Sequence, residues 1–265
     1  MKLSDITILF LIIHVVADFY LLSIGLGAEK ESKDKAFAWH TVVYATVMLL
    51  SALALTLIQG DPRMMWAGLT LSSLHAAAAL LKYIISKTKR MEKPNAQAWL
   101  YLSDQLLLIL CAVFITNRFT AALPIPGLTL RWLLLLSLIP TPAHVSFKNL
   151  FSKYESAEGK AAGGQANGDK VTEGKADGDK AAGDPGKPDT LPGAGAVIGS
   201  LERVLCAIFI GLGQYASIGL IYTAKSIARF KKIEENPKFA EYYLIGTLYS
   251  ILFVVACYLL VVQTL

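Results

Sequence analysis

The sequence predicts an all-α fold: a polytopic integral membrane helical bundle of six or seven spans, with a disordered cytoplasmic tether. Of its 265 residues, 54% are hydrophobic and 17% are charged, a balance too apolar for an ordinary soluble domain of this length. Several apolar runs also approach the roughly 20 residues that a helix needs to cross a bilayer. Most of the chain is therefore expected to lie in lipid.

Five apolar runs before the polar tract predict the first five spans. The first run has neither a basic cluster before it nor a small-residue cleavage site after it, so we interpret it as a retained span rather than a signal peptide. The fifth ends in Pro140 and Pro142, which predict a kinked or broken last turn. The five predicted spans are Ile6–Leu22, Phe37–Leu57, Met65–Ile85, Trp99–Thr116 and Leu128–Val145.

Lysine and arginine in the short loops predict the orientation of these spans. The loops before the second and fourth spans are basic around Lys33 and Lys89, whereas the other two short loops hold only Arg63 and Arg118. By the positive-inside rule, the basic loops are cytoplasmic and the N-terminus is extracytoplasmic. Because this pattern accounts for the net charge of +5, no nucleic-acid partner is predicted.

A polar tract divides the chain, and residues 148–192 are predicted to be a linker. From Glu155 to Thr190 the tract is mainly Gly, Ala, Lys, Asp and Glu, with Val171 the only larger aliphatic residue. It cannot bury enough apolar surface to fold, so we expect a disordered tether, cytoplasmic because the fifth span ends there. The tether could reach a cytoplasmic protein partner. It separates a five-span membrane domain, 1–147, from a C-terminal membrane segment, 193–265.

The C-terminal segment admits two arrangements. Its apolar stretch Ala196–Tyr222 either crosses the membrane once or folds back near Gly211, Gly213 and Gly219 as a re-entrant pair of short helices. A single crossing would leave the following basic segment outside, against the positive-inside rule, whereas folding back keeps both ends cytoplasmic. The sequence leaves both arrangements open. A last span is predicted at Tyr242–Val262.

The basic segment between these two apolar stretches predicts contact with membrane lipid. Lys225 and Arg229 are four residues apart, hence on one helical face, and Phe230 beside them offers apolar anchorage. Lys231 and Lys232 extend the positive charge. We expect these four basic side chains to contact anionic headgroups at the cytoplasmic surface. The alternative is that they satisfy the positive-inside rule and bind no particular lipid.

Ionisable side chains inside the predicted spans form a polar seam. His14 and Asp18 stand four residues apart on the first span, which places them on one helical face. Charged groups are costly in hydrocarbon and usually face partners. Either the seam lines a pocket that opens toward the cytoplasm, or its members make structural interhelical hydrogen bonds. The seam comprises His14, Asp18, His40, His75, Lys82 and Asp104.

A divalent metal ion is a more specific form of the pocket hypothesis. Imidazole and carboxylate groups suit zinc, manganese or iron, and the candidate ligands are His14, Asp18 and His75. The chain has no His-Glu-x-x-His motif and no Glu-x-x-His pair. It also lacks a Gly-x-Ser-x-Gly elbow, a P-loop and a dinucleotide fingerprint, so the familiar soluble chemistries have no motif here.

The seam residues belong to motifs that resemble a known family. That family is domain of unknown function 3307 (DUF3307), a set of uncharacterised bacterial membrane proteins. The resemblance implies a multi-pass protein of the bacterial inner membrane and brings no established activity with it. The motifs, within roughly the first 120 residues, are His14-Val15-Val16-Ala17-Asp18-Phe19, His40-Thr41-Val42-Val43-Tyr44, His75 with Lys82, and Asp104-Gln105.

We predict a non-catalytic function for the seam, such as transport, ion or proton binding, sensing or interaction. The chain has Leu22, Ala79 and Leu108 where the family pattern has a glutamine, an acidic residue and a histidine. A metal or proton site shared by the family would therefore be incomplete here. The alternative is a membrane-embedded metal-dependent enzyme acting on a lipid-borne or small substrate.

Overall fold

The computed structural model describes residues 3–21, 33–86, 94–120, 123–151, 154 and 194–263. All regular structure within these ranges is helical, which confirms the predicted all-α fold. Two of the helices continue into a π-helical turn: α1 into Val16–Tyr20 and α10 into Leu259–Gln263. The helices are α1 (Asp5–Val15), α2 (Lys33–Gln59), α3 (Arg63–Ser86), α4 (Pro94–Thr116), α5 (Gly127–Leu138), α6 (Thr141–Phe151), α7 (Ala194–Gly211), α8 (Tyr215–Ala228), α9 (Phe230–Glu235) and α10 (Pro237–Tyr258).

Within the described ranges, five stretches of helix are long and apolar enough to cross a membrane. They coincide with the second to fifth predicted spans and with the last one. The helix α1 with its π-helical turn, and the pair α7 and α8, are not among them, so six or seven predicted spans compare with five found. The predicted tether, Glu155–Thr190, lies outside the described residues. The five are Phe37–Gln59, Arg63–Ile85, Ala98–Thr116, Gly127–Phe151 and Pro237–Gln263.

Helix α1 lies inside the N-terminal bundle because it is apolar on every side. Ile6, Ile8 and Phe10 are completely buried, as expected for a helix without a polar face. The helix begins at a cap in which the Ser4 hydroxyl accepts the backbone N–H of Thr7 at 3.2 Å. It packs against α2, α4 and α5. Polar side chains on its second half therefore face other helices.

Helices α2 and α3 form an antiparallel pair joined by a tight turn. Gly60 adopts a φ of +69°, which glycine takes without strain, and the Asp61 carboxylate accepts the backbone N–H of Arg63 at 3.0 Å. The two helices approach so closely that a Cβ atom at Gly68 would overlap the side chain of Ala52. Small residues at such contacts are typical of membrane helices. This approach brings together the polar residues of α2 and α3.

The fifth predicted span is broken, as its prolines predict. Helix α5 ends at Leu138 and α6 begins at Thr141, with Ile139 and Pro140 in a turn between them. A break inside a membrane span frees backbone carbonyls, which need new donors. Arg203 of α7 supplies one, donating to the Pro140 carbonyl at 3.0 Å. The broken span is thereby tied to the C-terminal segment.

The apolar stretch after the tether folds as two short helices rather than one long one. A turn at Gly213, whose φ is +71°, separates α7 from α8. Lys225 on α8 forms an ion pair with Glu202 on α7, so the chain reverses direction and the two helices lie side by side. Helix α7 also packs against α10. The described residues thus have the pair of short helices that the fold-back arrangement requires.

Candidate functional site

The polar residues of the N-terminal helices meet around one carboxylate, that of Asp18. Its Oδ1 atom lies 2.9 Å from His40 Nε2, and its Oδ2 atom accepts a hydrogen bond from the Gln105 side-chain amide at 2.9 Å. The Asp18 side chain is 8% exposed. Both carboxylate oxygens are therefore held by side chains from neighbouring helices, α2 and α4.

Asp18 is carried by the π-helical turn Val16–Tyr20 that follows α1. This turn contacts α2 and α6. Single π-helical turns are rare and occur often at functional sites. Because a π-helical turn holds more residues than an α-helical one, it changes which side chains share a face. Asp18, on this turn, contacts His40 and Gln105.

His75, from α3, joins this group from a third helix. Its Nε2 atom lies 3.9 Å from Asp18 Oδ1. Its ring stacks on that of Tyr44, with centroids 3.6 Å apart and planes inclined by 12°, and meets the ring of His40 edge-on. The side chain is 3% exposed, yet neither ring nitrogen has a hydrogen-bond partner among the described residues. A buried polar group left unsatisfied costs about 1–3 kcal/mol.

His14 lies beside the group and is held by Tyr44. Its Nδ1 atom is 2.9 Å from the Tyr44 hydroxyl, and its ring meets that of His75 edge-on at a centroid distance of 6.4 Å. Its Nε2 atom is buried and has no hydrogen-bond partner in the described part of the chain. Tyr44 therefore contacts two of the histidines, one through its hydroxyl and one through its ring.

Lys82 and Asp104 form an ion pair next to this group. Lys82 Nζ, on α3, donates to the Asp104 carboxylate, on α4. Asp104 precedes Gln105 in the chain, so the ion pair adjoins the Asp18 contacts along α4. The side chain of Asp104 is 9% exposed and that of Lys82 is 37% exposed, which places the pair at the edge of the bundle. All six seam residues thus make contacts in one region of the N-terminal helices.

Three ligand atoms in this region are close enough to share a metal ion. One atom each from Asp18, His40 and His75 lies within 4.8 Å of the other two. In a tetrahedral zinc site with bonds of about 2.1 Å, ligand atoms stand about 3.4 Å apart. The Asp18–His40 separation of 2.9 Å and the Asp18–His75 separation of 3.9 Å lie on either side of that value. The three side chains could supply three of the four ligands of such a site, once their ligand atoms shift to equal separations.

This metal-ligand group differs in one member from the candidates expected from the sequence. His40 stands in it where the sequence suggested His14, whose Nδ1 atom contacts Tyr44 instead. Tyr44 and Gln105 were not among the predicted site residues. Both had a signal in the sequence: Tyr44 follows His40 by four residues, hence on the same helical face, and Gln105 directly follows a seam residue.

The predicted lipid-binding residues separate into two pairs. Lys225 and Arg229 line a cavity of about 540 Å³ between α6, α7, α8 and α10. Lys231 and Lys232 are exposed on α9 and do not line it. Arg203, which the sequence did not single out as a site residue, lines the cavity as well. Its signal was an arginine inside an apolar stretch.

The five apolar helices are compatible with one class of protein, a multi-pass α-helical membrane protein, and the described helices hold a buried polar group. Within that class, residues 6–130 match the model of a family described as protein of unknown function (DUF3307), which confirms the resemblance expected from the sequence. The matched range holds α1 to α4 and hence the Asp18 group. Neither a curated protein nor a solved structure was found to match the chain.

Proposed function

We propose that this protein is a non-catalytic ion-binding protein of the membrane, which holds one divalent transition-metal ion within its N-terminal helices. The ligands are Asp18, His40 and His75. The observation that carries the proposal is the convergence of their three ligand atoms, from three different helices, within 4.8 Å of one another. Ion transport and ion sensing both require such a site inside the membrane domain.

The chemistry of these side chains favours zinc or a similar ion over magnesium or calcium. Zinc is bound by imidazole nitrogen and carboxylate oxygen, whereas magnesium and calcium prefer oxygen ligands alone. A metal bond at Nε2 would also give the buried His75 ring a partner, which it lacks among the described residues. The metal would thus remove part of the cost of burying that imidazole.

Two neighbouring side chains support the ligands in the manner of known metal sites. Gln105 donates to the carboxylate oxygen of Asp18 that does not face His40, which fixes the orientation of the carboxylate. Tyr44 stacks on His75 and fixes the plane of its ring. In metalloproteins such outer contacts orient the ligands, and their loss lowers metal affinity about 10- to 100-fold.

Metal analysis of purified protein tests the proposal. After exposure to Zn²⁺ and removal of unbound metal, mass spectrometry should find about one zinc per chain, the stoichiometry of a single-ion site. Asp18→Asn and His40→Gln should each lower zinc affinity at least about tenfold. His144→Gln is the matched control, since His144 is the one histidine of the chain's four that stands outside the seam. Retention of zinc by both site variants, or none in the wild type, would refute the proposal.

A second function, a membrane-embedded metal-dependent enzyme, is favoured by one observation. The group supplies three ligands, the number typical of catalytic zinc sites, which keep a fourth position open for water or substrate. The variant His14→Gln separates the two functions. If His14 closes the site as a fourth ligand, its loss weakens zinc binding as strongly as the loss of His40. If zinc affinity is unchanged in His14→Gln, the fourth position is open, and this result would favour the metal-dependent enzyme.

The proposal includes a location and an orientation. The protein would reside in the bacterial inner membrane with an extracytoplasmic N-terminus. The five apolar helices support the membrane location, and the lysines and arginines of the short loops support the orientation. The Lys82–Asp104 pair would then lie on the cytoplasmic side of the metal ligands.

A further inference from the structure

A cavity lies where α7 and α8 meet the broken span and α10. It encloses about 540 Å³, within the range of about 300–1,000 Å³ that is usual for small-ligand sites. Phe147, in the last turns of the candidate span Gly127–Phe151, lines it on one side. Tyr243, in the first turns of Pro237–Gln263, lines it on another. Because the cavity adjoins the ends of two candidate spans, we expect it to lie near the depth of the lipid headgroups.

The wall of this cavity carries more positive than negative charge. Arg203, Lys225 and Arg229 line it, together with one carboxylate, that of Glu202. Glu202 is already paired with Lys225. The guanidinium groups of Arg203 and Arg229 therefore form no ion pair with the described carboxylates. A cavity with this excess of positive charge attracts an anion.

Arg203 is the least exposed of these cations. It is 6% exposed, and its guanidinium donates to neutral oxygens, the Pro140 carbonyl at 3.0 Å and the Ser200 hydroxyl at 3.3 Å. Its Nε–H is buried and has no hydrogen-bond partner within the described ranges. A buried cation without an opposite charge is unfavourable, and ionisable groups at membrane depth mark ligand sites. An anion in the cavity would add an opposite charge close to this guanidinium.

Apolar residues also line the cavity, and they favour a lipid as the source of the anion. Ile198, Ile221 and Phe239 line the cavity beside the cations. On the outside of α7, Ile198 is 44% exposed and Leu201 is 58% exposed, so an apolar surface continues away from the cavity. A soluble anion would leave this apolar surface uncovered, whereas the acyl chains of a lipid would cover it.

We propose that this cavity binds the phosphate group of one anionic phospholipid, with the guanidinium groups of Arg203 and Arg229 as its principal contacts. Lys225 stands at the edge of the site and adds positive charge. Lys231 and Lys232 take no part, because they do not line the cavity. The proposal is independent of metal binding, since the Asp18 group belongs to other helices.

Lipid retention by the purified full-length chain tests the site. The protein is placed in mixed vesicles of phosphatidylglycerol and phosphatidylcholine, extracted into detergent, and the retained lipids are measured by mass spectrometry. The wild type should retain about one phosphatidylglycerol in preference to phosphatidylcholine, as one cavity would hold. The double variant Lys225→Ala, Arg229→Ala should bind it about 30-fold more weakly, which is about 2 kcal/mol at 1.4 kcal/mol per factor of ten.

A matched control separates this site from general attraction to a basic surface. The double variant Lys231→Ala, Lys232→Ala removes the same charge from the adjoining segment and should retain phosphatidylglycerol as the wild type does. Because Lys225→Ala leaves the buried Glu202 unpaired, the single variant Arg229→Gln is measured as well, with an expected loss of about fivefold. The Lys225–Glu202 pair stays intact in that variant.

Three results would overturn the proposal. Equal losses in the two double variants would mean that only net charge matters. Unchanged retention in Arg229→Gln would show that this guanidinium does not contact the lipid. Binding of inorganic phosphate in the absence of retained phosphatidylglycerol would identify a site for a soluble anion instead.

Discussion

Substitution of Gly68 tests the packing between α2 and α3, the helices that carry His40 and His75. Gly68 lies on α3 against Ala52 of α2, where an added Cβ atom would overlap the Ala52 side chain. Ala52 is completely buried, so its side chain has no free space beside it. Both Cβ atoms are attached to the backbone and cannot avoid each other by a change of rotamer. Gly68→Ala therefore forces α2 and α3 apart.

Two opposing effects set the size of the change. Overpacking a close contact costs up to about 3 kcal/mol, and here the rigid partner favours the upper end of the range. Replacing glycine by alanine inside a helix returns about 1 kcal/mol. We expect a net loss of about 2 kcal/mol in the free energy of unfolding, or about 4 to 8 °C in melting temperature. The double variant Gly68→Ala, Ala52→Gly exchanges the two side chains and should recover most of it.

Thermal unfolding in detergent measures these differences, with Gly219→Ala of α8 as the matched control. Among the described residues, and apart from its chain neighbours and its own helix backbone, no atom lies within 4 Å of a Cβ at Gly219. That variant should therefore be at least as stable as the wild type. Zinc affinity provides a second readout, because the spacing of α2 and α3 sets the distance between His40 and His75. The reasoning is wrong if Gly68→Ala melts together with the control, or if Ala52→Gly fails to rescue it.

Three further predictions concern orientation, the tether and the Tyr44 contact. Lys33→Cys and Lys89→Cys should resist a membrane-impermeant thiol reagent in intact cells and react after lysis, because their loops are expected to be cytoplasmic; labelling of intact cells would reverse the orientation. Shortening Glu155–Thr190 to about twelve residues should leave expression and melting temperature nearly unchanged, since the tract is too polar to pack, and loss of folded protein would contradict this. Tyr44→Phe keeps the ring that stacks on His75 but removes the hydroxyl that contacts His14, so it should lower stability by about 1 kcal/mol. Thermal unfolding measures the loss against the control Tyr215→Phe, whose side chain is exposed.

The polar seam shows how much of the candidate site could be predicted from the sequence. Each ionisable residue inside a span needs a polar partner, so the sequence predicted that six of them form one seam. The structure adds which atoms meet: Asp18 with His40 and Gln105, and Lys82 with Asp104. Those pairings could not be read from the sequence, because depth along a helix does not specify its rotation about its own axis.

The C-terminal segment shows the same division. Apolar composition predicted that Ala196–Tyr222 is membrane-associated and left both a crossing and a fold-back open. The structure has a turn at Gly213 and the ion pair of Glu202 with Lys225 across two helices. That ion pair joins residues on two different helices, and the local sequence pattern does not show whether such residues come into contact.

By itself the sequence determined the class of this protein, an all-α membrane protein, because hydrophobicity acts residue by residue and adds up along each run. Only the tertiary structure decided that His40, rather than His14, stands with Asp18 and His75. It also decided that Arg203 faces a cavity. The physical reason is that helix rotation, the register change of a π-helical turn and the closeness of helix pairs are set by packing between distant segments, which local composition does not encode.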